Sequence, residues 1–189
     1  TGGGQVVVEN GFAYVGHMNA PAGTTVVDVR DPKNPRQVAH FGMPAGTHSH
    51  KVRVGNGVML TNHEVLPKPA NWENLMVDDG LPEGFKGGLG IYDLSNPGHP
   101  KLITNWETAG SGVHRFDFDG RYAYISPTVE GFRGNIVMIL DLKNPARPEE
   151  VGRWWLPGQW EAGGETSTWK GTSHQCHHPL RRGDRLYTS

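Results

Sequence analysis

One turn recurs three times and decides most of what this chain can become. Asp28 to Pro35 (DVRDPKNP), Asp93 to Pro100 (DLSNPGHP) and Asp141 to Pro148 (DLKNPARP) all fit D-[VL]-x-[DN]-P-x-x-P. Each follows an apolar run: Thr25-Val26-Val27, Leu89-Gly90-Ile91-Tyr92, and Ile136 to Leu140. Each is followed by another strand-like run: RQVAHFGM, KLITNWET and PEEVGRWW. Asp and Asn side chains cap such turns, while proline sets φ and ends the hydrogen-bonded ladder. A second pattern is interleaved with the first. His50 opens HKVRVGNGVMLTN, His114 opens HRFDFDGRYAYIS and His178 opens HPLRRGDRLYTS; each is a histidine, a short strand, a Gly-containing turn and a second strand.

Combined, the two patterns give a four-strand unit. Strand a begins at the histidine, strand b follows the Gly turn, strand c runs into Asp, and strand d follows the Asn-Pro turn. The first unit starts without its histidine, at GQVVVENGFAYVGH, and the fourth stops within strand b at Ser189. Consecutive four-stranded meanders of about 40–45 residues are the mark of propeller blades. The expected fold is therefore an all-β propeller with about three and a half blades present, the approximate units being 1–44, 45–110, 111–172 and 173–189 of one domain. An up-and-down sandwich is the runner-up, but it does not require the same turn after every third strand. An open propeller exposes sheet faces and edges, so the remainder of a ring or a second copy is the expected partner.

Composition agrees and narrows the function classes. Eighteen basic residues against nineteen acidic ones give no electrostatic footprint for nucleic acid. No apolar run is long enough to span a membrane. The 27 glycines and 14 prolines suit a turn-rich β protein. The one cysteine, Cys176, forbids a disulfide within the chain and leaves the compartment open, periplasm or cytoplasm alike.

The segment VVDVRDPKNPRQVAHF, with a histidine opening the next strand, resembles the LVIVD-repeat family of β-propellers. HSHKVRVGNGVMLTN and HPLRRGDRLYTS are more distantly similar to segments of the selenium-binding protein and methanethiol oxidase family. That second resemblance implies a seven-bladed ring, with metal in some bacterial members. The chain departs from the repeat in two insertions, His63 to Gly88 and Leu156 to His177, and in its extra histidines.

Strands of a blade alternate in direction, so the start of strand a, the end of strand b, and the b–c and d–a loops share one face. Most of the ten histidines and both insertions are expected there. His50, His114, His178, His63 and His17 are the expected metal ligands. Glu64, His48, His174, His177 and Cys176 are expected behind the ligands or in a lid, whereas His40 and His99 lie away from that face. Imidazoles on separate strands suit a Cu, Fe, Mn or Zn ion, which would act as a Lewis acid or activate water or dioxygen. A metal-binding propeller acting on a small molecule, in an oxidoreductase reaction by family analogy, is the leading expectation. The alternative is a non-catalytic propeller that binds a protein or ligand, its histidines hydrogen-bonding neighbouring blades. A hydrolase or lactonase is disfavoured because such sites favour carboxylate and amide oxygens. Trp72, Trp154, Trp155, Trp160 and Trp169 are expected either to wall a pocket or to pack between blades. The catalytic residues are not assigned.

Overall fold

The computed structural model describes residues 3–19, 21–43, 46–65, 86–170 and 174–189. The first sheet runs β1 (Gly3–Glu9), β2 (Phe12–His17), β3 (Ala22–Asp28) and β4 (Arg36–Gly42) in that order. The second contains β5 (Thr47–His48), β6 (Val52–Gly55), β7 (Val58–Val65), β8 (Gly88–Asp93) and β9 (Lys101–Glu107); β5 and β6 both pair with β7. The third runs β10 (Val113–Phe118), β11 (Tyr122–Pro127), β12 (Val137–Asp141) and β13 (Glu149–Trp154), and a hairpin of β14 (Leu180–Arg182) and β15 (Arg185–Tyr187) follows. Every named pairing is antiparallel. The architecture is all-β, built of successive four-stranded propeller blades, with one short 3-10 turn at Glu161–Gly163. No helix among the described residues is long and apolar enough to cross a membrane.

The recurrent turn does what its chemistry requires. β3, β8 and β12 end at Asp28, Asp93 and Asp141. Their carboxylates accept the backbone N–H two residues on, from Arg30 at 3.1 Å, Ser95 at 2.9 Å and Lys143 at 2.8 Å. The next residue of each motif closes a β-turn: Asp31, Asn96 and Asn144 carbonyls accept from Asn34, His99 and Arg147 at 3.0, 2.9 and 2.9 Å. Pro32, Pro97 and Pro145 then hold the second turn position, where their fixed φ fits. The hairpins before them use Asn10-Gly11 and Asn56-Gly57, with φ of 51° and 79° and of 50° and 74°. Those left-handed pairs match the twist of tight antiparallel hairpins.

The cores lie between sheets. Tyr14 and Val26 of the first sheet pack on Val52, Met59 and Tyr92 of the second. Leu60, Leu89 and Ile91 pack on Phe116, Ile125 and Leu140 of the third. Backbone bonds join the same sheets at their inner strands: Gln5 N–H donates to the His50 carbonyl at 3.0 Å, and Val65 N–H to the Ser111 carbonyl at 2.8 Å. The opposite face of the first sheet carries Val6 and Val8, 60% and 63% exposed. A further blade or a second copy would cover that face.

Strand a of the second unit begins earlier than His50. The chain pairs with β7 first at Thr47 and His48, breaks step through Ser49 to Lys51, and resumes at Val52. The insertion expected from His63 to Gly88 lies largely outside the described residues, and with it Trp72. The other insertion folds onto the β11–β12 loop. Gln159, fully buried, accepts from Leu156 N–H at 2.8 Å and donates to the Arg133 and Asn135 carbonyls at 2.8 and 3.0 Å. Trp155 and Trp160 pack on Phe132, with ring centroids 5.1 and 6.4 Å away. These tryptophans pack the insertion down, while Trp154 and Trp169 are 46% and 57% exposed.

Candidate metal centre

The alternation of β7 sorts its side chains between the two cores. Met59 faces the first sheet and Leu60 the third, so the pleat carries Asn62 and Glu64 to Leu60's side and Thr61 and His63 to the other. β5 sets His48 directly opposite Glu64. β10 approaches through a bridge between Glu64 and Gly112, which puts His114 beside the same carboxylate. Gly112 has φ of +100°, and a Cβ there would meet the His63 carbonyl oxygen at 2.2 Å. Only glycine permits that approach.

His48, His50, Glu64 and His114 thus offer ligand atoms that all lie within 4.8 Å of one another. The first three are buried, at 4%, 2% and 6% exposed. Glu64 Oε2 lies 2.5 Å from His48 Nε2, and its oxygens lie 2.8 and 2.9 Å from His114 Nδ1. His50 Nδ1 stands 4.0 Å from Glu64 Oε2. His48 Nδ1 is 3.2 Å from the Met18 carbonyl oxygen. Both nitrogens of His48 therefore face atoms that only accept. A metal ion held by both Nε2 and Glu64 would need the two to draw apart, since each metal–ligand bond is about 2.0–2.2 Å. A ligating histidine whose other nitrogen donates to a backbone carbonyl is the usual arrangement at metal sites.

Asn62, fully buried, is the hub of the surrounding network. Its Oδ1 accepts from Lys51 N–H at 2.8 Å. Its Nδ2 donates to the carbonyls of Val113 at 3.1 Å and His114 at 3.3 Å, and lies 3.3 Å from His50 Nδ1. His50 Nδ1 is then an acceptor, and its Nε2, which carries the ring proton, is buried without a hydrogen-bond partner among the described residues. Asn62→Ala removes the link between three strands and orphans several buried backbone groups, each worth about 1–3 kcal/mol. Urea denaturation is expected to show a loss of at least about 2 kcal/mol; a variant within about 0.5 kcal/mol of the parent refutes the hub role.

Burial and charge set the protonation. Burial pushes Glu64 up, but hydrogen bonds and charge from His114 and His48 together outweigh it and bring the carboxyl down to about 2. Burial, then His48, lowers His50 to about 2. Burial lowers His63 to about 4. Next to this group Lys51, 9% exposed, is lowered to about 8 by burial and by Arg115 and Arg53.

The other expected ligands lie elsewhere. His178 Nε2 is 3.3 Å from the Phe116 carbonyl, in the third sheet's inner strand. His17 Nε2 meets Thr25 Oγ1 at 2.8 Å, and His40 Nδ1 meets the same hydroxyl at 3.0 Å. His63 Nε2 is 3.4 Å from Thr61 Oγ1, on the far face of β7 from Glu64. Of the residues expected behind the ligands or in a lid, Glu64 sits at the centre of the group and His48 within it. His177 lays its ring 5.0 Å from that of His114. His174 contacts the Pro157 carbonyl at 2.9 Å and stacks on Trp169. Cys176 is buried, its thiol pushed up to about 11 by burial, which argues against a reactive thiolate. Sequence reasoning did not single out Asn62; an amide inside the apolar run VMLTNHEV was the signal.

No curated protein matches the chain, and no comparison shows the expected likeness to the selenium-binding protein and methanethiol oxidase family. The LVIVD repeat matches residues 3–41, 84–108 and 117–155. Those spans cover the first sheet, β8 to β9, and the third sheet from the end of β10. His48, His50, Glu64 and His114 all fall between them, so the match bears on the scaffold and not on the candidate site. With more than half its length in three matched segments, the chain belongs to the LVIVD repeat family.

Proposed function

We propose that this propeller binds one first-row transition-metal ion through His48, His50, Glu64 and His114 and presents it to a small molecule in an oxidoreductase reaction. The carrying observation is the grouping itself: three imidazoles and one carboxylate from separate segments offer ligand atoms that all lie within 4.8 Å of one another. Three imidazoles and one carboxylate, with no thiolate among them, suit Fe, Mn, Zn or Cu. Such an ion supplies Lewis acidity and, when redox-active, electron transfer. The protein's own part is to hold the donors on three strands and to keep Glu64 ionised.

Elemental analysis of protein purified without chelator tests this, followed by titration of chelated protein with Mn, Fe(II), Zn and Cu. About one equivalent of one metal is expected, with a rise in Tm from binding to the folded state, and weaker binding in His50→Ala and His114→Ala. No stoichiometric metal, and a Tm indifferent to chelator, sinks the proposal. One observation favours a second reading, a non-catalytic propeller with structural histidines: Glu64 already has hydrogen-bonding distances to both His48 and His114. On that reading His50→Ala and His114→Ala cost stability and leave ligand binding intact.

A further inference from the structure

Two cations beside the candidate centre have no anionic partner among the described residues. Lys51 and Arg115 each follow the histidine that opens an inner strand, so they hold equivalent places in neighbouring units. Lys51 is nine-tenths buried, yet no ion pair or side-chain hydrogen bond joins it to another described residue. Arg115 contacts no carboxylate; the bond its side chain makes runs from Nε to His114 Nε2 at 3.4 Å. The two press on one another as like charges, and both press on His177, whose ring lies against His114.

Several other arginines of the fold are paired. Arg53, two residues along the same strand, is paired with Asp117 at 3.1 Å. Arg30, Arg121, Arg153 and Arg181 meet Asp28, Asp141, Glu150 and Asp119 at 2.6 to 2.8 Å. Among the described residues, the carboxylate of the neighbouring group is Glu64, and it is already taken by two imidazoles. The Lys51 side chain is mostly buried, but its ammonium is not among the sealed atoms that lack a partner, so it keeps contact with solvent and an anion can reach it from there. A divalent cation in the centre would add to the positive excess.

We infer that Lys51 and Arg115 form an anion subsite, which seats a carboxylate or similar oxyanion of a small ligand beside the His48–His50–Glu64–His114 group. The Arg115 guanidinium offers a planar fork matched to two oxygens of such a group, and Lys51 supplies a point charge from the adjoining strand. The ligand class is a small organic anion, short enough for its far end to reach the metal position. That last step rests on the metal reading; the anion subsite does not.

The probes are oxalate with the cobalt(II)-loaded protein, followed in the visible spectrum, and sulfate with the chelated protein, followed by Tm. In the parent, oxalate is expected to perturb the cobalt spectrum saturably, and sulfate to raise Tm. Lys51→Met and Arg115→Met are each expected to weaken oxalate about thirtyfold or more and to abolish the sulfate shift, with cobalt affinity undiminished. Without anion, Lys51→Met is expected to melt no lower than the parent, since no ion pair is lost with the ammonium and Met keeps the apolar stem packed, so loss of binding is not loss of fold. Cobalt bound with oxalate affinity equal in parent and both variants overturns the subsite and leaves the metal reading standing. No cobalt bound, but a sulfate shift that both variants lose, does the reverse. Neither probe binding the parent overturns both.

Discussion

Glu64→Ala is expected to destabilise the chelated protein by about 3–5 kcal/mol, the range for breaking a buried ion pair by deleting one partner. Glu64 is 6% exposed and lies at 2.5 Å from His48 and 2.8 Å from His114. Its removal leaves His48 Nε2 and His114 Nδ1 facing a cavity, and takes away the negative charge that offsets the neighbouring cations. Glu64→Gln is expected to lose less, because the amide keeps the length of the side chain and one acceptor. Urea denaturation in chelator measures both, and a loss below about 1 kcal/mol for Glu64→Ala would mean that the imidazoles find other partners. Saturating metal should widen the gap: the parent gains stability from binding, whereas the alanine variant has lost the anionic donor and gains little.

The turn repeat made the blades legible because its chemistry is local. Asp28, Asp93 and Asp141 each cap their own turn, so strand ends could be read from a few residues. The site was only half legible, because its geometry depends on pairing across strands. Reading strand a from His50 placed His48 in an approach loop and ranked His178 beside His50 and His114 by repeat position alone. In the structure β5 pairs His48 with Glu64 before the chain breaks step, and a register offset of that kind leaves no mark in periodicity. His178 keeps the repeat position but not the company, since the carboxylate at the end of β7 has no acidic counterpart in the third unit: the bridge there joins Thr128 to Asn135. His17 ends β2 and His63 lies two residues before the end of β7, and the pleat turns His63 to the opposite face from Glu64. Alternation could have told Glu64 from His63 beforehand, because Leu60 and Glu64 share parity and Met59 shares it with His63.

The same burial that gathers the imidazoles should make the fold acid-labile well above the carboxylate range. His50 is held down to about 2 and His63 to about 4, so both stay neutral in the folded protein at pH 5–6. Unfolding releases them to an ordinary pKa near 6.5, and the unfolded chain then binds protons that the folded one does not. Stability tied to these two rings is complete above about pH 6.5 and falls as pH drops below it. Each uncompensated proton contributes about 1.4 kcal/mol per pH unit, so the pair should give a slope of about 2–3 kcal/mol per unit near pH 5. Glu64, held down to about 2 in the fold, steepens the loss below about pH 4.5, where the unfolded carboxylate protonates first. Urea denaturation in chelator at pH 7.5, 6.5 and 5.5 measures the slope with no metal contributing. Replacing His63 with Gln should remove about one proton's share of it while leaving the slope due to His50. Stability flat from pH 7.5 to 5.5 would show that these rings accept protons in place, and that burial does not hold the site's imidazoles in the neutral form a metal ion needs.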